Sequence, residues 1–177
     1  MRQYIKYLFL IIFVAYSFGE SKNLPEMKLK DLENKRVMMK DFYSKTPILI
    51  NFWTLACEPC KKEMKFLDKF NKAYSENGFK VISVNMDNPR SMSKVKSYIK
   101  SQKYSFKVLS DPKSELFRKT GGKVMPYILM VNTDGSIFQR HIGFTIGDEK
   151  GLEKDIIHLI ENNKNNKNDE NDENENN

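Results

Sequence analysis

Two cysteines, two histidines and one tryptophan are scarce stock for a chain of 177 residues, and each scarcity narrows what the protein can do. The histidines stand at positions 141 and 158, neither at tight ligand spacing to a cysteine, so the donor set of an ordinary zinc site is missing. His158 falls beside apolar positions of a helical pattern and reads as a boundary residue, and His141 reads as a strand-surface residue. No metal and no cofactor is expected. No apolar run reaches the roughly 20 residues that a membrane-spanning helix needs. No cysteine lies near residue 19, which excludes a bacterial lipoprotein anchor. No aromatic-basic motif of an RNA or DNA binder appears, and no internal repeat. Residues 161–177 hold no apolar side chain, cannot offset their ordering entropy by burial, and are expected to form a disordered Asn/Asp/Glu/Lys tail.

At 40% hydrophobic and 30% charged, the remainder has material for one globular domain, placed at residues 24–160. The first residues carry Arg2 and Lys6, then an apolar and aromatic run from Tyr7 to Tyr16, then Ser17 and Gly19. This is the layout of a secretory signal peptide over residues 1–19, with a signal anchor as the second reading, and it implies an extracytoplasmic location. Of the net charge of +7, the tail is acidic and the signal basic, which leaves residues 20–160 at about +9. Lysine is spread through every segment, so a solvated surface, weak association with a membrane surface or acidic partners account for it better than nucleic acid.

A coarse reading places a small hairpin over 27–42 with its turn at Glu33-Asn34-Lys35. The run Ile48-Leu49-Ile50-Asn51-Phe52-Trp53 is apolar at nearly every position, as expected of a central strand covered on both faces. A helical period follows from Glu58, with Met64, Leu67, Phe70 and Tyr74 on one face and Gly78 as the stop; Pro59 fits because it falls in the first turn. Strands at 79–85 and 106–109 alternate with helices opened by Asn88-Pro89 and Asp111-Pro112. Tyr127–Val131 and Ile137–Ile142 flank an Asp134-Gly135 hairpin signal, and a last helix follows Asp148. The order predicts an α/β fold of the thioredoxin type, a mixed central sheet with helices on both faces and an added N-terminal hairpin.

The cysteines are Cys57 and Cys60, where the central strand gives way to the helix. In an exported protein an idle pair would be a staple, yet a loop with two intervening residues removes little chain entropy, so use in electron exchange is the better reading. A cysteine capping the helix start faces unpaired amides and the positive end of the dipole, which lowers a thiol pKa from about 8.5 into a range of roughly 3.5 to 7.5. Cys57 is thus the attacking sulfur and Cys60, nearer the helix body, the resolving one. Glu58 opposes a neighbouring thiolate, whereas Lys61 and Lys62 favour it. Trp53 is core and also packs the site. Glu63 and Asp87 are the carboxylates within range to move a proton. Met125-Pro126 precedes an apolar strand and is, by itself, an ordinary trans bond more often than not.

The stretch Asn-Phe-Trp-x-x-x-Cys-Glu-Pro-Cys-Lys-Lys-Glu at 51–63, Pro126 before an apolar strand and the Asp134-Gly135 hairpin together resemble the exported TlpA-like and ResA-like thioredoxin family, across residues 24–160. The resemblance implies Cys57 and Cys60 as the redox disulfide and Pro126 as a cis-proline lying against it, supported by Met125. It implies a monomeric reductant of disulfide-bearing exported proteins, apocytochrome c among them, recharged by a membrane thiol donor. Ala56, Lys65 and Tyr127 depart from the family pattern, and Asn51 stands where cytosolic thioredoxins keep a buried acid. Two other readings compete. Thr54-Leu55-Ala56-Cys57 fits a Thr-x-x-Cys fragment of thiol peroxidases of the peroxiredoxin type, and a free dithiol also suits a metal or haem-assembly chaperone.

Overall fold

The computed structural model describes residues 21 to 175, with side chains through residue 166; the expected signal segment lies outside the described residues. Strand β3 (Ile48–Trp53) is buried at every position. It pairs in parallel with β4 (Lys80–Asn85) on one side and antiparallel with β6 (Tyr127–Val131) on the other. Parallel neighbours need a crossover, and helix α2 (Glu58–Tyr74) supplies it between β3 and β4. A 3-10 turn at Pro89–Ser91 and helix α3 (Met92–Gln102) do the same between β4 and β5 (Lys107–Ser110). Two further strands, β1 (Lys28–Asp31) and β2 (Arg36–Met38), form the N-terminal hairpin, and β7 (Ile137–Ile142) closes the far edge. The sheet order is β2-β1-β5-β4-β3-β6-β7.

Alternation along β3 divides the core in two. Leu49 and Trp53 face a cluster with Met64, Leu67 and Phe70 of α2, Val95 of α3, and Leu152, Ile156 and Leu159 of the last helix, α5 (Glu149–Glu175). Ile48, Ile50 and Phe52 face a second cluster with Tyr43 of α1 (Lys40–Tyr43) and with Leu116 and Phe117 of α4 (Glu115–Lys119). Helices therefore cover both faces, as the strand and helix order predicts. Short helix α1 was not expected: the hairpin stretch ends at Met38, and the chain coils there to bring Tyr43 beneath the sheet.

Local chemistry accounts for the element ends. Asn34 takes a φ of 66° in the hairpin turn, and the Asp31 carboxylate accepts the N–H groups of Glu33 and Lys35 and pairs with Lys107 at 2.9 Å. The Lys107 hydrogen bond holds that carboxyl below its ordinary value. Asn88 caps the 3-10 turn, and Asp111 accepts from the amides of Glu115 and Leu116 at the start of α4. Gly135, at φ 88°, makes the tight β6–β7 turn.

Helix α5 runs on to Glu175, past residue 161 where the tail is expected to begin. Composition hid the reason. Asn163 is 3% exposed; its side chain accepts from the backbone and hydroxyl of Thr133 and donates to Asn132 and to the Leu159 carbonyl. A polar residue is thus satisfied in place of an apolar anchor. Replacing Asn163 with Ala leaves the Thr133 amide without its partner and is expected to cost about 1–3 kcal/mol in urea unfolding, whereas Lys164→Ala, on the exposed side, changes the midpoint little.

Candidate active site

The end of β3 delivers the site. After Trp53 the chain leaves the sheet, and the Thr54 carbonyl accepts the Cys57 amide at 3.1 Å to form a turn that aims into α2. Cys57 is the helix cap, with extended φ/ψ of −85° and 92° and a sulfur 3.3 Å from the Cys60 amide that donates to it. Pro59 sits in the first turn, where its missing N–H removes no helix bond. Cys57 and Cys60 are joined by a disulfide with a Cα separation of 5.3 Å. Cys57 is half-buried while Cys60 is 0% exposed, its sulfur 3.9 Å from the Phe52 carbonyl. The two sulfurs are therefore unequal in access before any chemistry begins.

Charge near the cap is largely cancelled. Lys61 lies 2.7 Å from the exposed Glu58 carboxylate and holds it below the ordinary glutamate value, while its ammonium sits 5.6 Å over the Tyr98 ring. The opposing effects expected from Glu58 and Lys61 thus offset one another, and the helix start and the exposed Lys62 remain to favour a Cys57 thiolate. Tyr98 was not anticipated as part of this neighbourhood. Its ring lies 5.6 Å from that of Trp53, which is fully buried in the same cluster as Cys60 and Met64.

Glu63 lies three residues after Cys60 on the buried side of α2 and is 2% exposed. Its Oε2 makes no hydrogen bond within the protein, and burial pushes its carboxyl up to about 8. Below it, Asn51 occupies the face of β3 that turns toward α2, with Ser83 as its register neighbour on β4. Both are fully buried, and their side-chain polar atoms are likewise without partners among the described residues. A carboxyl so placed is neutral over most of the physiological range.

Asp87 proves to be an anchor. Its Oδ2 accepts the Leu55 amide at 2.8 Å and the Asn85 side-chain amide at 2.8 Å, so the end of β4 holds the loop that leads to Cys57. Asn85, the third member of this bridge, went unnoticed because nothing in the local pattern separates it from strand polarity. The Met125–Pro126 bond is cis, as the family resemblance implies. Pairing of Phe52 with Tyr127 places Pro126 at the end of the sheet where the Cys57 loop departs. Pro126 is buried and Met125 half-buried, packed against both core clusters. Tyr127 donates to the Thr120 carbonyl at 2.6 Å and stacks on Phe52, so its departure from the family pattern serves the opposite core. Of the histidines, His158 is exposed and His141 lies 3.0 Å from Asp155, both on the edge formed by β7 and α5.

A seven-stranded mixed sheet, a cis-proline and a Cys-x-x-Cys disulfide at a helix start define the class, that of the thioredoxin-like thiol-disulfide oxidoreductases. The Redoxin family model matches residues 20–156, and the chain belongs to that family. Among curated proteins it is 30% identical over 118 residues to thiol-disulfide oxidoreductase ResA of Bacillus thuringiensis subsp. konkukian, covering 67% of this chain and 66% of that protein. It is 29% identical over 116 residues to sporulation thiol-disulfide oxidoreductase A of Bacillus subtilis, covering 65% of this chain and 69% of that one. The chain thus spans about two-thirds of the length of these relatives. Among solved structures, one described as a thiol:disulfide interchange protein DsbE from Chlorobium tepidum superposes with a TM-score of 0.73 at 24% identity, over 81% of this chain and 99% of that one. StoA from Bacillus subtilis superposes with a TM-score of 0.60 at 24% identity, over 76% and 98%. At these identities the two structures speak for the fold.

Burial of Glu63 gives the stability a pH dependence. Below the ordinary value of 4.5 the carboxyl is protonated in folded and unfolded chains alike and adds no pH-dependent cost. Above it the unfolded chain releases a proton that the folded chain keeps, so stability falls as pH rises, until the folded group ionises near 8. Glu63→Gln is expected to flatten this decline, so that the difference between the two proteins in unfolding free energy from urea titrations grows between pH 4.5 and 8 to the order of a few kcal/mol.

Proposed function

We propose that this chain is an exported dithiol reductant that passes two electrons to disulfides of other exported proteins. The observation that carries the reading is the inequality of the two sulfurs: Cys57 caps a 17-residue helix and accepts the Cys60 amide, and Cys60 is buried beneath it. In the reduced protein the Cys57 thiolate attacks one sulfur of a partner disulfide and forms a mixed disulfide, and the partner's other sulfur leaves as a thiolate. Cys60 then loses its proton and attacks Cys57 Sγ. The intramolecular disulfide re-forms and the partner's second sulfur departs. Disulfide and dithiol interconvert within one helical turn, so the rest of the fold need not move.

In its carboxylate form, a minority at pH 7 because its value lies near 8, Glu63 is the group suited to take the Cys60 proton. It shares the buried face of α2 at the i, i+3 position, and its raised value near 8 lies close to the roughly 8.5 of an ordinary thiol, so a proton passes either way at little cost. Asp87 is committed to the Leu55 and Asn85 amides and holds the loop instead. Pro126 and Met125, at the same end of the sheet, are the backbone and side-chain wall against which a partner strand lies.

Arg2 and Lys6 ahead of the Tyr7–Tyr16 run support export, and the relatives named as thiol-disulfide oxidoreductases support the chemistry. Apocytochrome c before haem attachment is the substrate the family resemblance favours, with a membrane thiol donor to restore the dithiol. Cys60→Ala is expected to accumulate mixed disulfides through Cys57, visible as bands that collapse on reduction; an exported fraction in which none forms refutes the reading. Glu63→Gln is expected to slow release of the mixed disulfide by about 10²-fold at pH 7, with its first-step rate nearly unchanged, in stopped-flow Trp53 fluorescence.

A further inference from the structure

One cavity among the described residues lies apart from the cysteines. It is a groove of about 580 Å³ between the N-terminal hairpin, the start of α3 and the loop between β5 and α4. Its floor is apolar: Leu29 is buried, and Met27, Leu32 and Met92 are covered only in part. Its rim carries Lys28, Lys30, Lys96 and Lys113, all exposed.

The acids of the groove are already engaged. Asp31 is held by Lys107 and two hairpin amides, Asp111 by the amides that open α4, and Glu115 by Lys119 at 2.8 Å. None of the four rim lysines forms an ion pair among the described residues. The charge that the groove offers a visitor is therefore positive, over a floor that still has apolar surface to cover.

Position links the groove to the site. Pro89 and Asp111 follow the C-terminal ends of β4 and β5, and Cys57 follows the C-terminal end of β3, the next parallel strand in the same sheet. At about 4.8 Å per strand, the groove starts on the order of 10 Å from the disulfide, within reach of a few extended residues.

We infer that this groove is a docking site for an acidic segment bearing an apolar side chain, carried by the disulfide-bearing protein that reacts at Cys57. The inference rests on the exchange reading for the identity of its occupant. Lysines on the rim steer and orient the segment, the apolar floor takes its side chain, and the partner's disulfide is presented to the cap of α2. A membrane surface is the less fitting occupant, because a concave groove hides its floor from a flat array of headgroups.

The test compares three disulfide-bearing peptides of one core sequence with acidic, neutral and basic flanks, together with 2-hydroxyethyl disulfide as a small neutral substrate. The reduced protein is expected to react with the acidic peptide about tenfold faster than with the neutral one at low salt, an advantage that fades at high salt. The variant Lys30→Glu/Lys96→Glu/Lys113→Glu is expected to lose that advantage while reacting with 2-hydroxyethyl disulfide at the wild-type rate. Equal rates for all three peptides, or an advantage that survives the variant, overturn the inference. So does a variant whose only defect is lost binding to phosphatidylglycerol vesicles. Fluorescence anisotropy of the acidic peptide with a Cys57→Ser/Cys60→Ser protein reads the groove without exchange. If 2-hydroxyethyl disulfide is not reduced but the peptide still binds through the lysines, the exchange reading fails and the docking site stands.

Discussion

Burial of β3 on both faces and along both edges is the constraint on which the rest of this molecule depends. Because every residue from Ile48 to Trp53 is covered, the strand cannot shift, and its end is a fixed point in space. From that point the chain must turn, and the turn puts Cys57 at the start of α2. The antiparallel partner β6 begins opposite the same end, which is how Pro126 and the cysteine loop come to share one edge although 66 residues separate Cys60 from Pro126. The bond from Leu55 to Asp87 then fixes the loop from the β4 side.

The same burial sets the chemistry apart by depth. One sulfur stands at the rim, where helix amides point outward, and the other stands in the core beside a carboxyl that the interior keeps protonated. The fold tolerates Glu63 with its Oε2 unpaired, at some loss of stability near neutral pH. At the rim Glu58 and Lys61 cancel, which leaves the dipole of α2 and the exposed Lys62 to act on the outer sulfur.

Much of this was legible in the chain. The apolar run at 48–53, the Cys-x-x-Cys pair with Pro59, the Asp134-Gly135 turn and the caps at Asn88 and Asp111 are local signals, each readable from a few neighbouring residues. What stayed hidden depends on distant residues meeting. Glu63 reads as a first-turn acid until the sheet beneath it is known; a position three residues from Cys60 and next to Met64 was the available hint. Asp87 reads as a turn residue, and nothing local shows that it holds Leu55. Asn163 looked like part of a solvated tail because its partners lie in the β6–β7 turn. The groove beneath the hairpin is built from three separate stretches and has no signature in any of them.

The β6–β7 turn gathers both ends of the domain. The Leu24 amide donates to Gly135, the Ile137 amide donates to Lys22, and Asn163 bonds to Asn132 and Thr133. In the register of β3 and β6 this turn lies beyond Ile48, at the opposite end of the strand from the disulfide. The body of the protein is thus moored at one pole and reactive at the other. Residues 22–24 join the domain at that far pole, so a partner that reaches the sulfur pair meets the open end of the sheet and not the stretch around Lys22.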